Sequence, residues 1–150
     1  MRLHARYRGE VPAVTVPIPL RWSDCDAYGH VNNVAIVGLL EEARVRALWD
    51  DDDPIMPPLG ASSDVWVLVA DVTTRYRRII DHRVAPIDAE VSVSRCVGAS
   101  FVVDYRLLVD GEVCVEASTT LAMVDAATGR PTRLTPEQRE RLLALAPDAG

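Results

Sequence analysis

The fold is decided by one stretch of the sequence, Arg21-Trp22-Ser23-Asp24-Cys25-Asp26-Ala27-Tyr28-Gly29-His30-Val31-Asn32-Asn33. Carboxylates, a thiol, an imidazole and amides crowd this stretch, and an apolar run at 34–40 follows it directly. A polar connection that leads into an apolar run is typical of a helix start. Reactive side chains are therefore predicted to gather between a strand and the N-terminus of a helix.

That helix is predicted over about 32–49. Its first half is apolar on all sides, which predicts complete burial, and its second half is amphipathic. Glu42 and Arg46 have the i,i+4 spacing of a helical ion pair. Gly38 weakens the helix relative to alanine, and its missing side chain is expected to let the helix lie close to a sheet. Aspartates and prolines at 50–58 then end the helix.

The segment before the crowded stretch is predicted to be an edge strand. Apolar and polar residues alternate over 14–22, as in a strand with one buried face. Pro17 and Pro19 lack amide donors on the same side of that strand, which places it at, or near, a sheet edge. Residues 1–12 are polar and irregular, and a loose arm is expected there.

Four more strands are predicted after the helix. The first covers 65–78 and is expected to be buried at its start and exposed later. The segments 87–97 and 101–109 carry their apolar residues on odd positions, with a hairpin at Gly98-Ala99, and the strand after Gly111 does the same. A two-residue turn at Asp110-Gly111 would pair odd positions with even ones. A three-residue loop with a left-handed Gly111 is therefore predicted, pairing Leu107 with Val113.

A short C-terminal helix completes the chain. Thr135, Pro136 and Gln138 form the pattern of a capping box before Arg139 to Leu145. The predicted order is one strand, a long helix, four antiparallel strands and a short helix. This order predicts a single α+β domain over residues 1–150, with the long helix against one antiparallel sheet.

Composition excludes some classes of function. A net charge of −6 and a pI near 5.0 argue against a nucleic-acid partner, which requires a basic face. No stretch of 18 consecutive apolar residues and no signal-peptide core are found, so neither a membrane span nor secretion is expected. The three cysteines are widely spaced and odd in number. Reduced thiols and a cytoplasmic location are expected.

Asp26 is the preferred candidate for a reactive group. An aspartate in such a turn often serves only as an Asx-turn acceptor or helix cap. It also precedes an apolar helix, whose free amides can hold an oxyanion. A base or nucleophile and a stabiliser of negative charge would then arise in one place.

Other interpretations of the crowded stretch stay open. His30 fits a general base, a donor that orients a ligand, or a structural residue. Cys25 and His30 together suggest a nucleophile pair. Asp24, Asp26 and the run 50–53 invite a metal site, but the glycine and terminal glutamate of a calcium loop are missing. No metal is therefore expected.

A set of arginines and a pair of glutamates lie farther along the chain. The arginines at 75, 77 and 78, together with Arg95 one strand away, are candidates for a cationic rim that meets an anionic ligand. Exposed arginines late in strands can equally be only solubilising. Glu41 and Glu42 are expected to be ordinary carboxylates of the helix surface, with Arg46 available to Glu42.

The string from Arg21 to Asn33, with Glu41-Glu42-Ala43-Arg44 a fixed distance on, resembles the hotdog-fold acyl-CoA thioesterases of the 4-hydroxybenzoyl-CoA thioesterase type. The similarity is greatest to their YbgC-like and long-chain acyl-CoA thioesterase branch. Residues up to about 145 agree in element order and in looser features at 76–78 and 98–100. The resemblance implies a hotdog fold, in which a five-stranded antiparallel sheet wraps around a long central helix.

The resemblance also implies roles for individual residues. Asp26 would attack the thioester or activate water, the backbone amide of Asn33 would polarise the carbonyl, and His30 would complete the catalytic set. The residues expected at the substrate and CoA are Tyr28, Gly29, Asn32, Ile36, Arg77, Arg78, Arg95, Gly98 and Ser100. Relatives usually carry an aromatic where this chain has Ile36, and a proline where it has Ile79.

These implications lead to an expected function. The chain is expected to be a cytoplasmic acyl-CoA thioesterase that releases free acid and CoA, with no cofactor beyond the CoA of its substrate. The acyl carrier could be CoA or a carrier protein. A homodimer or homotetramer with active sites at the subunit interface is implied. Alternatives are a non-catalytic hotdog module that binds acyl-thioesters or a partner, and, less well matched, a hydratase.

Overall fold

A computed structural model describes residues 14–49 and 52–146, so the arm predicted at 1–12 lies outside the described residues. Its elements are β1 (Val14–Ile18), a 3-10 turn (Trp22–Asp24), α1 (Asn33–Leu48), β2 (Val65–Tyr76), β3 (Ile87–Val97), β4 (Ser100–Val109), β5 (Glu112–Asp125) and α2 (Pro136–Leu143). The predicted element order is therefore confirmed.

The strands form one antiparallel sheet in the order β1-β3-β4-β5-β2. β1 lies at an edge, as the prolines at 17 and 19 predict. β2 is the other edge, because its only strand partner in the described part of the chain is β5. The structure thus shows a five-stranded antiparallel sheet with helices of 16 and 8 residues. Whether the sheet wraps around a central helix stays a prediction.

The core lies between α1 and one face of the sheet. Odd positions of β3 and β4 are buried there, as predicted, and α1 packs against β1 and β3. The helix contributes one stripe, formed by Ile36, Leu39, Leu40 and Ala43. Each large apolar side chain that is fully buried stabilises the fold by about 2 kcal/mol. This packing fixes where the N-terminus of α1 meets the sheet.

The prediction that the first half of α1 is buried on all sides is wrong. Val34 is 77% exposed and Val37 is 41% exposed. A helix can bury only the stripe that faces the sheet, and the opposite side of α1 has no second layer in the described chain. A Cβ at Gly38 would meet no atom within 4 Å, so the expected close approach at this glycine is also wrong.

The expectation that β2 is buried at its start is wrong as well. Trp66, Leu68 and Val69 are 43%, 48% and 46% exposed. Their positions cover both faces of the strand, because successive side chains point to opposite sides. α1 packs over the β1 and β3 side of the sheet and leaves this edge uncovered.

The turn at Asp110-Gly111 also differs from the prediction. Asp110 and Gly111 have φ values of 51° and 80°, and Val109 pairs with Glu112, so the turn has two residues. Such a turn favours positive φ at both positions. The register shifts at the next step, where Leu107 pairs with Val115 and leaves Cys114 as the extra residue. The odd-numbered residues of β4 and β5 do lie on the same face, as predicted. A β-bulge at Cys114, and not a three-residue loop, brings them there.

The remaining local predictions are confirmed. Val97 pairs with Ser100 across the Gly98-Ala99 hairpin. The amide of Gln138 donates to Oγ1 of Thr135 at 3.1 Å, and the amide of Thr135 donates to Oε1 of Gln138 at 2.9 Å. Glu42 and Arg46 form an ion pair of 2.7 Å. In the described residues, no helix combines the length and apolar character needed to cross a membrane.

Candidate active site

The crowded stretch forms a tight turn at the start of α1. The amide of Asp26 donates to the carbonyl oxygen of His30 at 2.8 Å, and the amide of Gly29 donates to the carbonyl oxygen of Asp26 at 3.1 Å. Cys25 and Val31 are bridged in antiparallel fashion just outside this turn. Gly29 has a φ of +77°, which a residue with a Cβ adopts only with strain. The loop is therefore closed by its own backbone.

The two oxygens of the Asp26 carboxylate differ. Oδ1 accepts the amide of Tyr28 at 2.8 Å and that of His30 at 3.2 Å, which is the Asx-turn interpretation of this residue. Oδ2 has no hydrogen-bond partner among the described residues, and the residue is exposed. One oxygen thus organises the loop, while the other is available for chemistry.

The helix start presents amides that have no acceptor. Asn32 is the N-cap, and its Oδ1 accepts the amide of Ala35 at 2.8 Å, while its carbonyl oxygen accepts that of Ile36 at 3.1 Å. The amides of Asn33 and Val34 have no acceptor within the described ranges. Free amides at the positive end of a helix are suited to hold an oxyanion.

Asp24 has a structural role instead. The residue is only 2% exposed, and its carboxylate accepts the amide of Arg21 at 2.7 Å and Nη2 of the same arginine at 2.8 Å. Burial would raise the pKa of the Asp24 carboxyl, but the hydrogen bonds from Arg21 lower it overall. The carbonyl oxygen of Asp24 accepts the amide of Asn32 at 2.9 Å. Asp24 thereby ties the end of the β1 segment to the start of α1.

A second segment, 79–82, lines the loop, and sequence reasoning missed it. The amide of Val31 donates to the carbonyl oxygen of Ile80 at 2.8 Å, and the amide of His82 donates to the carbonyl oxygen of Gly29 at 3.3 Å. Nε2 of His30 lies 3.5 Å from Oδ1 of Asp81. The sequence offers no signal for this pairing, since about 50 residues separate the partners.

Cys25 does not fit the nucleophile-pair interpretation. Burial, reinforced by the carboxylates of Asp24, Asp26 and Asp81, raises the pKa of its thiol. A thiol in this environment stays protonated at neutral pH, whereas a nucleophilic cysteine must be a thiolate. The His30 imidazole contacts Asp81, so the structure gives His30 a carboxylate partner.

The predicted cationic rim does not form within one chain. Arg77 pairs with Glu116 and Arg78 pairs with Glu112 at the end of β2 nearest the loop. Ala89 of β3 lies in the same row as Tyr76 at the end of β2, and Arg95 lies six residues farther along β3. Along the strand direction alone, Arg95 is therefore about 20 Å from that end of β2. Gly98 and Ser100 form the hairpin at that same far end of the sheet.

The other predicted substrate residues lie in two environments. Tyr28 is 83% exposed at the tip of the loop. Ile36 is 2% exposed and lies in the core beneath the first turn of α1, so it lines no open surface of the single chain. A groove of about 830 Å³ opens between 78–83 and 109–114 and borders the site at Asp81 and His82.

Fold and site together define a class of small α+β protein. In this class a carboxylate loop leads into a helix that is packed on an antiparallel sheet. A family model described as the thioesterase-like superfamily matches residues 20–142, and the chain belongs to this family. A search of the curated proteins finds no match.

Several solved structures share this fold, and three of them illustrate the similarity. The PA2801 protein of Pseudomonas aeruginosa is 28% identical, with a TM-score of 0.73 and coverage of 85% of this chain and 95% of its own. A Thermus thermophilus thioesterase complexed with coenzyme A and Zn is 24% identical (TM-score 0.70; 90% and 94% covered). The DHNA-CoA thioesterase of Staphylococcus aureus is 18% identical (TM-score 0.74; 87% and 98% covered). The family supports a hydrolase that acts on thioesters, and the two neighbours under 25% identity show the shared fold.

Proposed function

We propose that this protein is an acyl-CoA thioesterase that hydrolyses a fatty or aromatic acyl thioester to the free acid and CoA. One observation carries the proposal. The open Oδ2 of Asp26 and the free amides of Asn33 and Val34 belong to one short segment at the N-terminus of α1. A nucleophile or base and an oxyanion-binding pair are the two requirements of acyl transfer from a thioester.

The reaction runs through attack on the thioester carbonyl. Oδ2 of Asp26 either attacks the carbonyl carbon itself or removes a proton from the water that does. The carbonyl oxygen becomes an oxyanion, which the amide of Asn33 stabilises, and loss of one such donor costs about 3 kcal/mol. The C–S bond then breaks and the CoA thiolate leaves. If Asp26 attacks directly, water subsequently cleaves the resulting mixed anhydride and releases the acid.

A second copy of the chain is proposed to complete the site. Arg95, Gly98 and Ser100 lie at the end of the sheet far from Asp26, so they can meet the same substrate only from another subunit. Two β2 edges that pair antiparallel about a twofold axis place the far end of one sheet beside the near end of the other. A long, apolar, uncovered edge strand is the kind of surface that forms such pairs.

The finer assignments belong to this proposal as well. They are the hotdog arrangement, the 4-hydroxybenzoyl-CoA thioesterase type with its YbgC-like branch, a homodimer or homotetramer, a cytoplasmic location and no cofactor. His30 and Asn32 shape the loop, Tyr28 and Gly29 form its tip, and the arginines at 77, 78 and 95 meet CoA phosphates. Ile36 lies under the helix turn that would face the acyl group.

A non-catalytic module that binds acyl-thioesters is the second candidate. The charges of Arg77 and Arg78 are matched by Glu116 and Glu112, which reduces the attraction that this rim can offer to CoA phosphates. Ile36 also replaces an aromatic that relatives usually carry. The residue at position 36 favours weak turnover, whereas the pairing of Arg77 and Arg78 counts against tight CoA binding in either candidate.

A substrate panel separates the candidates. Thiol release is measured with short-chain, long-chain and aromatic acyl-CoAs, and equilibrium binding of a non-hydrolysable thioether analogue of each is measured in parallel. Turnover of at least one class supports the thioesterase. Tight binding of the analogues with no turnover of any acyl-CoA would replace it with the binding module.

A further inference from the structure

The segment 79–82 brings one carboxylate to the candidate active site that the proposed mechanism does not use. Asp81 and His30 form an isolated antiparallel bridge, flanked by the bonds from Val31 to Ile80 and from His82 to Gly29. The backbone of Asp81 is thus fixed beside His30 by the chain on both sides. Its side chain is 76% exposed, but its Oδ1 still lies 3.5 Å from Nε2 of the imidazole.

The position of Asp81 itself is held by the β-bulge on β5. The amides of Arg77 and Arg78 both donate to the carbonyl oxygen of Cys114, at 2.8 and 3.1 Å. This double contact turns the chain out of β2 and directs 79–82 towards the loop. Arg83 then pairs with Asp110 at 3.1 Å and closes the segment at its other end. Asp81 therefore lies in the middle of a segment that is anchored on both sides.

His30 connects that segment to Asp26. Its imidazole faces Asp81, while its amide donates to Oδ1 of Asp26 and its carbonyl oxygen accepts the amide of Asp26. The backbone bridge and the side-chain contact between Asp81 and His30 both hold the residue whose backbone bonds to Asp26. Since the backbone of His30 orients the Asp26 carboxylate, the effect of these contacts reaches Oδ2.

We propose that Asp81 is a positioning residue: its carboxylate holds the imidazole of His30 and, through the two main-chain bonds of His30, sets the direction of the Asp26 carboxylate. Asp81 does not itself touch the reacting atoms. The kinetic consequence rests on the proposed thioesterase function, whereas the structural consequence does not.

The test compares Asp81→Ala, Asp81→Asn and wild type, with Glu140→Gln as a matched control. Glu140 is an exposed carboxylate on α2 and has no role in the site. NMR relaxation of the His30 ring and hydrogen exchange of the Asp26 and His30 amides are measured, with His30→Asn used to assign the ring signals. Steady-state kinetics on the best acyl-CoA gives kcat and KM separately.

Removal of the Asp81 carboxylate should free the His30 ring. In Asp81→Ala the order parameter of the His30 ring is expected to fall from about 0.8 to below about 0.6, and the two amides should exchange faster. An exposed pair contributes at most about 1 kcal/mol, so kcat should fall about fivefold while KM stays within about twofold. Asp81→Asn keeps the size of the side chain but removes its negative charge, so it should show most of both effects.

Several results would overturn the proposal. One is an Asp81→Ala protein with the ring order, amide exchange and kcat of wild type. Another is an Asp81→Asn protein that matches wild type in ring order and kcat, since the carboxylate of Asp81 would then not be what holds the imidazole. If wild type hydrolyses no acyl-CoA, the thioesterase function fails, and the ring and amide measurements still decide the role of Asp81.

Discussion

His30 and Asp26 hold each other through two main-chain contacts. The amide of His30 donates to Oδ1 of Asp26 at 3.2 Å, and the amide of Asp26 donates to the carbonyl oxygen of His30 at 2.8 Å. The direction of the carboxylate is therefore set by the backbone of the turn. Any change that alters the turn should move Oδ2 without removing a side chain from the site.

Gly29→Ala alters the turn in this way. A Cβ at Gly29 would meet no atom within 4 Å, so the cost comes only from the φ of +77°. Left-handed backbone costs a residue with a Cβ about 1–2 kcal/mol. We expect the free energy of unfolding to fall by that amount in urea titrations, and thioester turnover to fall with it. Unchanged stability would contradict the left-handed conformation of Gly29.

Gly38→Ala is the matched control, because it should change the free energy of unfolding in the opposite direction to Gly29→Ala. Gly38 is inside α1, and a Cβ there also meets no atom within 4 Å. Alanine is favoured over glycine inside a helix by about 1 kcal/mol. The free energy of unfolding should therefore rise by up to this amount in the same titrations. A loss of stability would indicate that another chain packs against this side of α1.

Asp24 predicts how stability depends on pH. The hydrogen bonds from Arg21 lower the pKa of the folded carboxyl below its ordinary value of 3.8. A group whose pKa is lower in the folded state stabilises the protein above the unfolded pKa, and this contribution is lost as the pH falls through the folded pKa. Asp24→Asn should cost about 2 kcal/mol at pH 7, and should flatten the acid limb in urea unfolding measured from pH 7 to pH 2.

Asp104 provides the contrast, because burial raises the pKa of its carboxyl. A raised folded pKa means that the ionised group destabilises the protein at neutral pH and that protonation relieves this cost as the pH falls. Asp104→Asn should therefore leave stability at pH 7 unchanged or increase it. A loss comparable with that of Asp24→Asn would contradict the assignment of different roles to these carboxylates.

Cys25→Ser should retain activity. The thiol is held protonated by burial and by nearby carboxylates, so it is not available as a nucleophile. We expect kcat to stay within about threefold of wild type, whereas loss of a true nucleophile costs several orders of magnitude. Thiol-release assays measure this directly. A loss of that size on serine substitution would restore the Cys25–His30 interpretation.

The β2 edge predicts the oligomeric state. Val69 is 46% exposed on this strand, and a lysine there places a charge on the proposed pairing surface. Val69→Lys should shift the protein from dimer to monomer in sedimentation velocity and reduce turnover. Val84→Lys, at a position 94% exposed in a connecting segment, should do neither. A Val69→Lys protein that stays dimeric would exclude this edge as the interface.

Local patterns predicted much of the fold. The prolines at 17 and 19 placed β1 at an edge, and odd-position burial gave the faces of β3 and β4. The capping box gave α2. These signals depend on backbone chemistry and side-chain period, which act over a few residues.

Features that depend on distant parts of the chain escaped prediction. The apolar half of α1 and the start of β2 were expected to be buried, because sequence period cannot tell whether a second layer exists. The extra residue was predicted in the turn at Gly111, but it lies at Cys114 in β5. The alternation of apolar residues in β4 and β5 requires one extra residue between them and does not fix its position. Asp81 was missed because its meeting with His30 depends on how the chain leaves β2.

The role of Asp26 is tested most directly by single-turnover thioester hydrolysis with wild type and Asp26→Asn, with Glu140→Gln as control. We expect Asp26→Asn to lower the rate of thiol release by about 10³-fold, within the range for loss of a catalytic acid–base group. Glu140→Gln should match wild type. Equal rates for wild type and Asp26→Asn would contradict the central role given to Asp26.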